Sequence, residues 1–212
     1  IYSKAFIYMV EINNTEILKE LASATNDISQ GELIQLDAVQ NLDITLNQLK
    51  KISYFKTGRL FEASAKTGAI IANESVKYRE NISKSAKNLG ILFQIKDDLL
   101  DYSEDKTIGK PIFQDIKEGK VTYPFYFAYK NANFDQKKQL KELLKSSRKV
   151  KKNDIKLIKS LGGIAKTNKL ASQYHEKSIK YAKKIKDLKI RKEMIELANT
   201  AFNRKKWTLT LK

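Results

Sequence analysis

Only two prolines, Pro111 and Pro124, and eight glycines interrupt these 212 residues. Proline removes a backbone donor and clashes inside a helix, and glycine costs about 1 kcal/mol there relative to alanine. Their scarcity leaves long stretches in which helix meets no local obstacle. Apolar residues recur at helical spacing through those stretches. Ile17, Leu18, Leu21, Ala22, Thr25 and Ile28 form one such series. Leu170, Ala171, Tyr174, Ser178, Tyr181, Ala182 and Ile185 form another, with lysines opposite. The pattern predicts an all-α chain.

Helices are expected over residues 1–13, from a cap at Thr15 to about 36, and from Asp43 or Thr45 through ISYFKTGRLFEASAKTGAIIA. Others are expected from Glu74 to the acidic run near 100, over 124–131 and 134–147, from Asn153 or Asp154 to 161, through 170–185, and over 188–206. Gly162-Gly163 reads as a helix stop, and KSSRKVKKND is the most linker-like stretch. No domain boundary is visible, so one domain is expected. No apolar run reaches membrane-spanning length.

The chain lacks cysteine, which removes disulfide frames and thiolate metal sites and fits a reducing, cytoplasmic compartment. The single histidine, His175, reads as a surface or packing residue. A net charge of +17, from 41 Lys and Arg against 24 Asp and Glu, is compatible with nucleic acid, an anionic membrane or phosphorylated substrates. The lysines are spread along most helices without a nucleic-acid motif, so no nucleic-acid partner is expected and a solvated lysine-rich surface is the plain reading.

Against this basic background, GILFQIKDDLLDYSEDKTIGKPIFQDIKEGKVTYP, residues 90–124, stands out. On a helix, Asp97 and Asp101 lie about 40° apart and Asp98 and Asp101 about 60°, with Gln94 on the same side. Phe93, Gln94, Ile95, Leu100, Tyr102, Glu104 and Asp105, three or four positions away, include no base, and Lys96 points elsewhere. Crowded carboxylates raise one another's pKa unless a cation intervenes, and all-oxygen donors select a hard ion such as Mg2+. An acidic helix end lying in water is the alternative. Gly109-Lys110-Pro111 and Gly119-Lys120 follow, with Asp115 between them. Glycine lets backbone approach a ligand while lysine supplies point charge, so carboxylates for metal and lysines for phosphate oxygens describe a magnesium–diphosphate site.

The pattern FQxxDDxxD followed by GKPxxxDxxxGKxTxP closely resembles the second aspartate-rich region of trans-isoprenyl (polyprenyl) diphosphate synthases, especially long-chain, octaprenyl-type members. The resemblance implies an antiparallel all-α bundle around a deep central cavity. It implies a 1'–4 condensation in which magnesium draws diphosphate off an allylic prenyl substrate. The double bond of isopentenyl diphosphate then attacks the allylic cation, and a proton passes to the departing diphosphate. By motif match, Asp97, Asp98 and Asp101 serve the metal, with Asp97 a direct ligand. Lys56, Lys110 and Lys120 hold the allylic diphosphate, and Gln94 and the backbone of Thr57 offer oxygen dipoles to the cation. On the residues alone, Lys56 reads as an ordinary surface lysine. Gly31, Glu32 and Gln35 form a polar helix side that faces either a cavity or water.

The family has two aspartate-rich motifs and only the second is present. The first, with the isopentenyl diphosphate site, is expected upstream of Ile1, and the stretch given is not expected to turn over alone. The resemblance also implies a homodimer built on the first third of the sequence, and peripheral membrane contact for product release is a further expectation. A catalytically silent partner subunit, a basic helical nucleic-acid binder and a head-to-head or cyclising terpenoid enzyme are the competing readings. The last group generally lacks the GKP…GK loop.

Overall fold

The structure, a computed structural model, describes residues 2–103, 113–145 and 150–205. Among the described residues it is helical throughout. The order is α1 (Tyr2–Glu11), α2 (Thr15–Asp37), α3 (Leu46–Ser53), a π-helical turn (Tyr54–Gly58), α4 (Arg59–Ile71), α5 (Val76–Leu100), α6 (Gln114–Lys117), α7 (Tyr123–Asn131), α8 (Phe134–Lys145), α9 (Lys152–Ser160), α10 (Gly163–Ala182) and α11 (Leu188–Phe202). No helix among these residues is long and apolar enough to cross a membrane.

The boundaries follow local chemistry, with corrections to the expected ones. Asn14, not Thr15, caps α2, its side-chain oxygen accepting from the Glu16 and Ile17 amides. Thr45 caps α3 through a reciprocal box with Gln48. Asp154 does not cap α9 from outside; it lies within the first turn and accepts from the Lys151 amide at 2.7 Å. Gly162 takes the left-handed conformation that stops α9, and Gly163 already begins α10. The last helix ends at Phe202, short of 206.

The centre of the bundle is α5. From Ser85 to Leu100 it buries residues on every side, including Leu92 and Ile95 with no exposure. A helix apolar all round must be surrounded, and α4, α10, α11, α3 and α7 pack on it. Full burial of each such side chain stabilises the fold by about 1.5–3 kcal/mol. The neighbour α10 runs antiparallel, pinned by a reciprocal pair: the Ser85 hydroxyl donates to the Ser178 carbonyl and the Ser178 hydroxyl to that of Ser85. A smaller cluster around Ala69, Ile82, Ala182, Ile185 and Met194 closes the far end.

Close approach fixes α4 against α5. A Cβ on Gly90 would lie 2.7 Å from the Gly58 Cα, so only glycine at position 90 permits this crossing, and a Cβ on Gly58 would already press on Ile91 at 3.0 Å. Gly31 similarly lets α2 come within 2.9 Å, measured from an added Cβ, of the Lys56 backbone nitrogen. The contact falls on the π-helical turn, where the Arg59 amide reaches back five residues to the Tyr54 carbonyl. Such a turn carries one extra residue and locally widens the helix. Here it carries Lys56 and Thr57.

Candidate active site

Those two contacts bring Lys56 and Thr57 opposite the acidic end of α5. Thr57 donates its hydroxyl to the Gln94 amide oxygen at 2.7 Å, and the Gln94 amide nitrogen donates to Asp98 at 3.0 Å. The other Asp98 oxygen accepts from the Tyr123 backbone amide at 3.4 Å, and the Tyr123 hydroxyl meets Ser53 at 2.9 Å. Lys56 donates to the Gln35 amide oxygen at 2.6 Å and pairs with Glu32 at 3.3 Å. The polar side of α2 therefore faces this site.

Lys56, Gln35, Gln94, Asp98, Asp115 and Lys120 line one cavity of about 60 Å³. That is room for a phosphate group rather than a prenyl chain. Lys120 reaches it while paired with Glu118 at 2.5 Å. Lys110 lies outside the described residues.

The three aspartates of α5 do not share one environment. Asp98 is 7% exposed and Asp101 2%, which excludes the acidic helix end lying in water. Burial, then the charge of Asp115, pushes Asp98 up to about 7 and Asp101 up to about 6. Asp101 accepts from the Gln114 and Asp115 backbone amides at 3.0 and 3.2 Å, fixing the start of α6. Asp97 points the other way and forms an ion pair with Arg204.

That pair corrects a premise of the sequence reading. No base lies near these acids along the chain, yet the fold brings one from the residues just after α11. Arg204 is 6% exposed, its guanidinium 4.0 Å from the centre of the Phe93 ring, so this arginine is packed rather than solvated. Burial holds its pKa down to about 10. Lys96, as expected, points away, over the Phe202 ring at 5.7 Å.

Hard oxygen donors on one turn, two of them protonating near neutral pH for want of a cation, fit a divalent ion in kind. Among the described residues no three carboxylates are already gathered to hold one. Asp97, Asp98 and Asp101 could do so only with Asp97 released from Arg204 or with other oxygens completing the shell. Arg204 carried no local signal that could have found it. Asp115 was visible in the sequence, but its charge on Asp98 and Asp101 was not.

A buried ionic network supports the π-helical turn from behind. Arg59, 7% exposed, donates to Glu20 at 2.6 Å and Asp27 at 2.8 Å, tying α4 to α2. Lys66 shares Glu20 at 2.6 Å, and the Tyr54 hydroxyl donates to Glu62 at 2.5 Å.

The polyprenyl synthetase family model matches residues 1–161. The chain is 30% identical to octaprenyl diphosphate synthase of Escherichia coli over 207 residues, 96% of this chain and 64% of that protein. It is also 30% identical to an all-trans-nonaprenyl-diphosphate synthase of Rhodobacter capsulatus, over 95% of this chain and 62% of the relative. Among solved structures it superposes on a decaprenyl diphosphate synthase from Rhodobacter capsulatus with a TM-score of 0.89 at 28% identity, covering 96% of this chain and 64% of that one. A polyprenyl synthase from Caulobacter crescentus, solved with calcium and isoprenyl diphosphate, gives 0.88 at 29% identity, covering 96% and 63%. The chain thus spans a little under two thirds of these relatives. With a helical bundle of their shape, a family match over three quarters of its length and the aspartate-rich turn at its centre, the chain belongs to the polyprenyl synthetase family.

Proposed function

We propose that the protein condenses an allylic prenyl diphosphate with isopentenyl diphosphate, 1'–4 and trans, to give a long-chain polyprenyl diphosphate. The observation that carries this is the convergence of Lys56, Gln94, Asp98 and Lys120 on one cavity from three separate segments. Two ammonium groups and a carboxylate facing one small cavity suit a metal–diphosphate headgroup, as the family relationship leads one to expect.

In this reading Asp97, Asp98 and Asp101 hold magnesium, which when bound neutralises charge building on the leaving diphosphate. The chain's own residues do the rest. Lys56 and Lys120 anchor the allylic diphosphate, with Lys110, and are already in place as charge develops. The Thr57–Gln94–Asp98 hydrogen bonds fix the Gln94 amide, leaving a lone pair of its oxygen for the allylic cation. Apolar neighbours such as Ile44, Leu49 and Ile52 keep water from the same space. The protein acts as a homodimer in the cytoplasm and hands its product to a membrane surface.

The test is turnover with magnesium. In the full-length protein, Asp98→Ala should lower turnover by orders of magnitude with helical circular dichroism intact, and near-parental turnover would refute the assignment. Lys120→Ala should raise KM for the allylic substrate, and an unchanged KM would remove its role. One observation favours a second reading, a catalytically silent partner subunit: Asp97 already has a cation in Arg204. Saturable binding of magnesium and an allylic diphosphate without turnover by the longest native chain would select that reading.

A further inference from the structure

We infer that the outer face of α8, with the end of α7 beside it, is a docking surface for an anionic lipid bilayer. At about 3.6 residues per turn, Phe134, Lys137, Lys138, Lys141 and Lys145 fall within about 100° around the α8 axis. All five are exposed, whereas Leu140, Leu143 and Leu144 are buried and hold the helix to the body. Phe134 is 84% exposed, more than any other large apolar side chain among the described residues. The last turn of α7 adds exposed Lys130, whose ammonium lies 5.6 Å from the centre of the Tyr126 ring, and Lys137 lies 5.8 Å from that of Tyr129. The acids of α8, Glu142 and Asp135, lie about 40° and about 60° beyond one edge of the stripe.

The chemistry of the stripe favours a bilayer over a single anion. All five cations are lysines, compact point charges drawn to a diffuse negative surface, whereas arginine is the residue that grips one phosphate in a fork. Charge alone attaches a protein weakly, and a membrane contact needs a second, apolar signal. Phe134 supplies it at the head of the stripe. Tyr126 and Tyr129, half-buried beside the lysines, are the amphipathic rings that suit the headgroup level. Each lysine brought to an anionic bilayer strengthens binding about fivefold, and burying the Phe134 ring adds roughly tenfold or more. The charge distribution along the chain points the same way. Residues 1–133 hold 17 Lys and Arg against 17 Asp and Glu, whereas residues 134–212 hold 24 against 7. The whole surplus therefore belongs to the part of the chain that opens with this stripe, and it orients that part toward a negative surface. On the reading proposed above, a lipid product passes to a membrane, and this is the face that touches it.

The experiment is sedimentation of the 212-residue chain with vesicles in EDTA and without substrate, where neither metal nor turnover enters. The chain should pellet with vesicles of equal parts phosphatidylglycerol and phosphatidylcholine and stay in solution with phosphatidylcholine alone. Phe134→Ser should weaken the anionic binding about fivefold or more, and Lys137→Gln with Lys141→Gln about tenfold or more. Lys169→Gln with Lys180→Gln, which removes two exposed charges from α10, should change it by less than about threefold. Equal loss in both lysine pairs, or none in Phe134→Ser, would assign the affinity to the basic surface at large and overturn the face. Insertion is read separately. The chain has no cysteine, so Phe134→Cys carries a polarity-sensitive dye at that one place. Its emission should shift to the blue with anionic vesicles, and pelleting without the shift would overturn the proposal. Duplex DNA held by the same lysines more tightly than the vesicles are would overturn it in favour of nucleic acid. A chain that docks while the full-length protein transfers no prenyl group would sink the reading of the active site and leave this face standing. Prenyl transfer without docking would do the reverse.

Discussion

Asp98→Asn should make the metal-free protein more stable, relative to parent, as pH rises. Asp98 is buried, with the Gln94 amide nitrogen and the Tyr123 backbone amide as donors and no ion pair among the described residues. Burial and Asp115 raise its pKa from 3.8 to about 7. A carboxyl whose folded pKa lies above its unfolded value binds its proton more tightly when folded. Its favourable contribution is therefore complete below the unfolded value and is lost as pH climbs through the folded one. At about 1.4 kcal/mol per pH unit, the window from 3.8 to about 7 is worth on the order of 4 kcal/mol, of which about 2–3 falls between pH 5 and pH 8.

Asparagine removes the charge but keeps one oxygen where aspartate has two, so one donor loses its acceptor at a cost of about 1–3 kcal/mol. That cost does not depend on pH, which makes the slope the signature rather than the offset. For a chain of this size 1 kcal/mol moves Tm by about 2–4 °C. Melts in EDTA should show the Tm of Asp98→Asn rising by about 5–10 °C relative to parent between pH 5 and pH 8. A difference that stays flat across that range would refute the argument. It would mean that Asp98 is ionised at no cost, with a cation or water beside it.

Two further predictions concern the scaffold. Gly90→Ala should destabilise the chain by about 1–3 kcal/mol, because the new methyl meets the Gly58 Cα at 2.7 Å and backbone cannot step aside. Gly68→Ala, on α4 with nothing within 4 Å, should instead stabilise by about 0.5–1 kcal/mol, and chemical denaturation of the pair reads the contrast directly. Arg59→Met should lower stability by about 3 kcal/mol, since it removes the guanidinium shared by Glu20 and Asp27 and leaves Glu20 with Lys66 alone. It should also loosen the π-helical turn, seen as faster amide hydrogen exchange at residues 54–58, and unchanged exchange there would make the network incidental.

Much of this was legible in the sequence because it is local. Helical periodicity, the sparing use of proline and glycine, and the spacing of Asp97, Asp98 and Asp101 are all set within a few turns, and the Thr45 cap likewise. What was not legible depends on distant segments. The π-helical turn at Tyr54–Gly58 has no composition of its own and exists because Gly31, Gly58 and Gly90 allow two other helices to press on it. The four-residue α6 is too short for any period, and it is held by Asp101, thirteen positions before its first residue. Asn14 took the cap from Thr15 because either residue can serve and only the backbone conformation decides.

The acidic turn shows how far spacing alone can carry a functional argument. Helix geometry places three carboxylates on one side, but that fixes direction only, not what each one meets. The fold gives each aspartate a different partner: an arginine from 107 positions later for Asp97, a glutamine amide for Asp98 and a helix start for Asp101. Only the first is a full compensating charge. A divalent ion entering here would compete with a guanidinium at Asp97 and with a proton at Asp98 and Asp101. Its apparent affinity should therefore rise with pH until those protons are gone. In this chain the acids proposed to hold the metal are also the groups whose crowding weakens the fold.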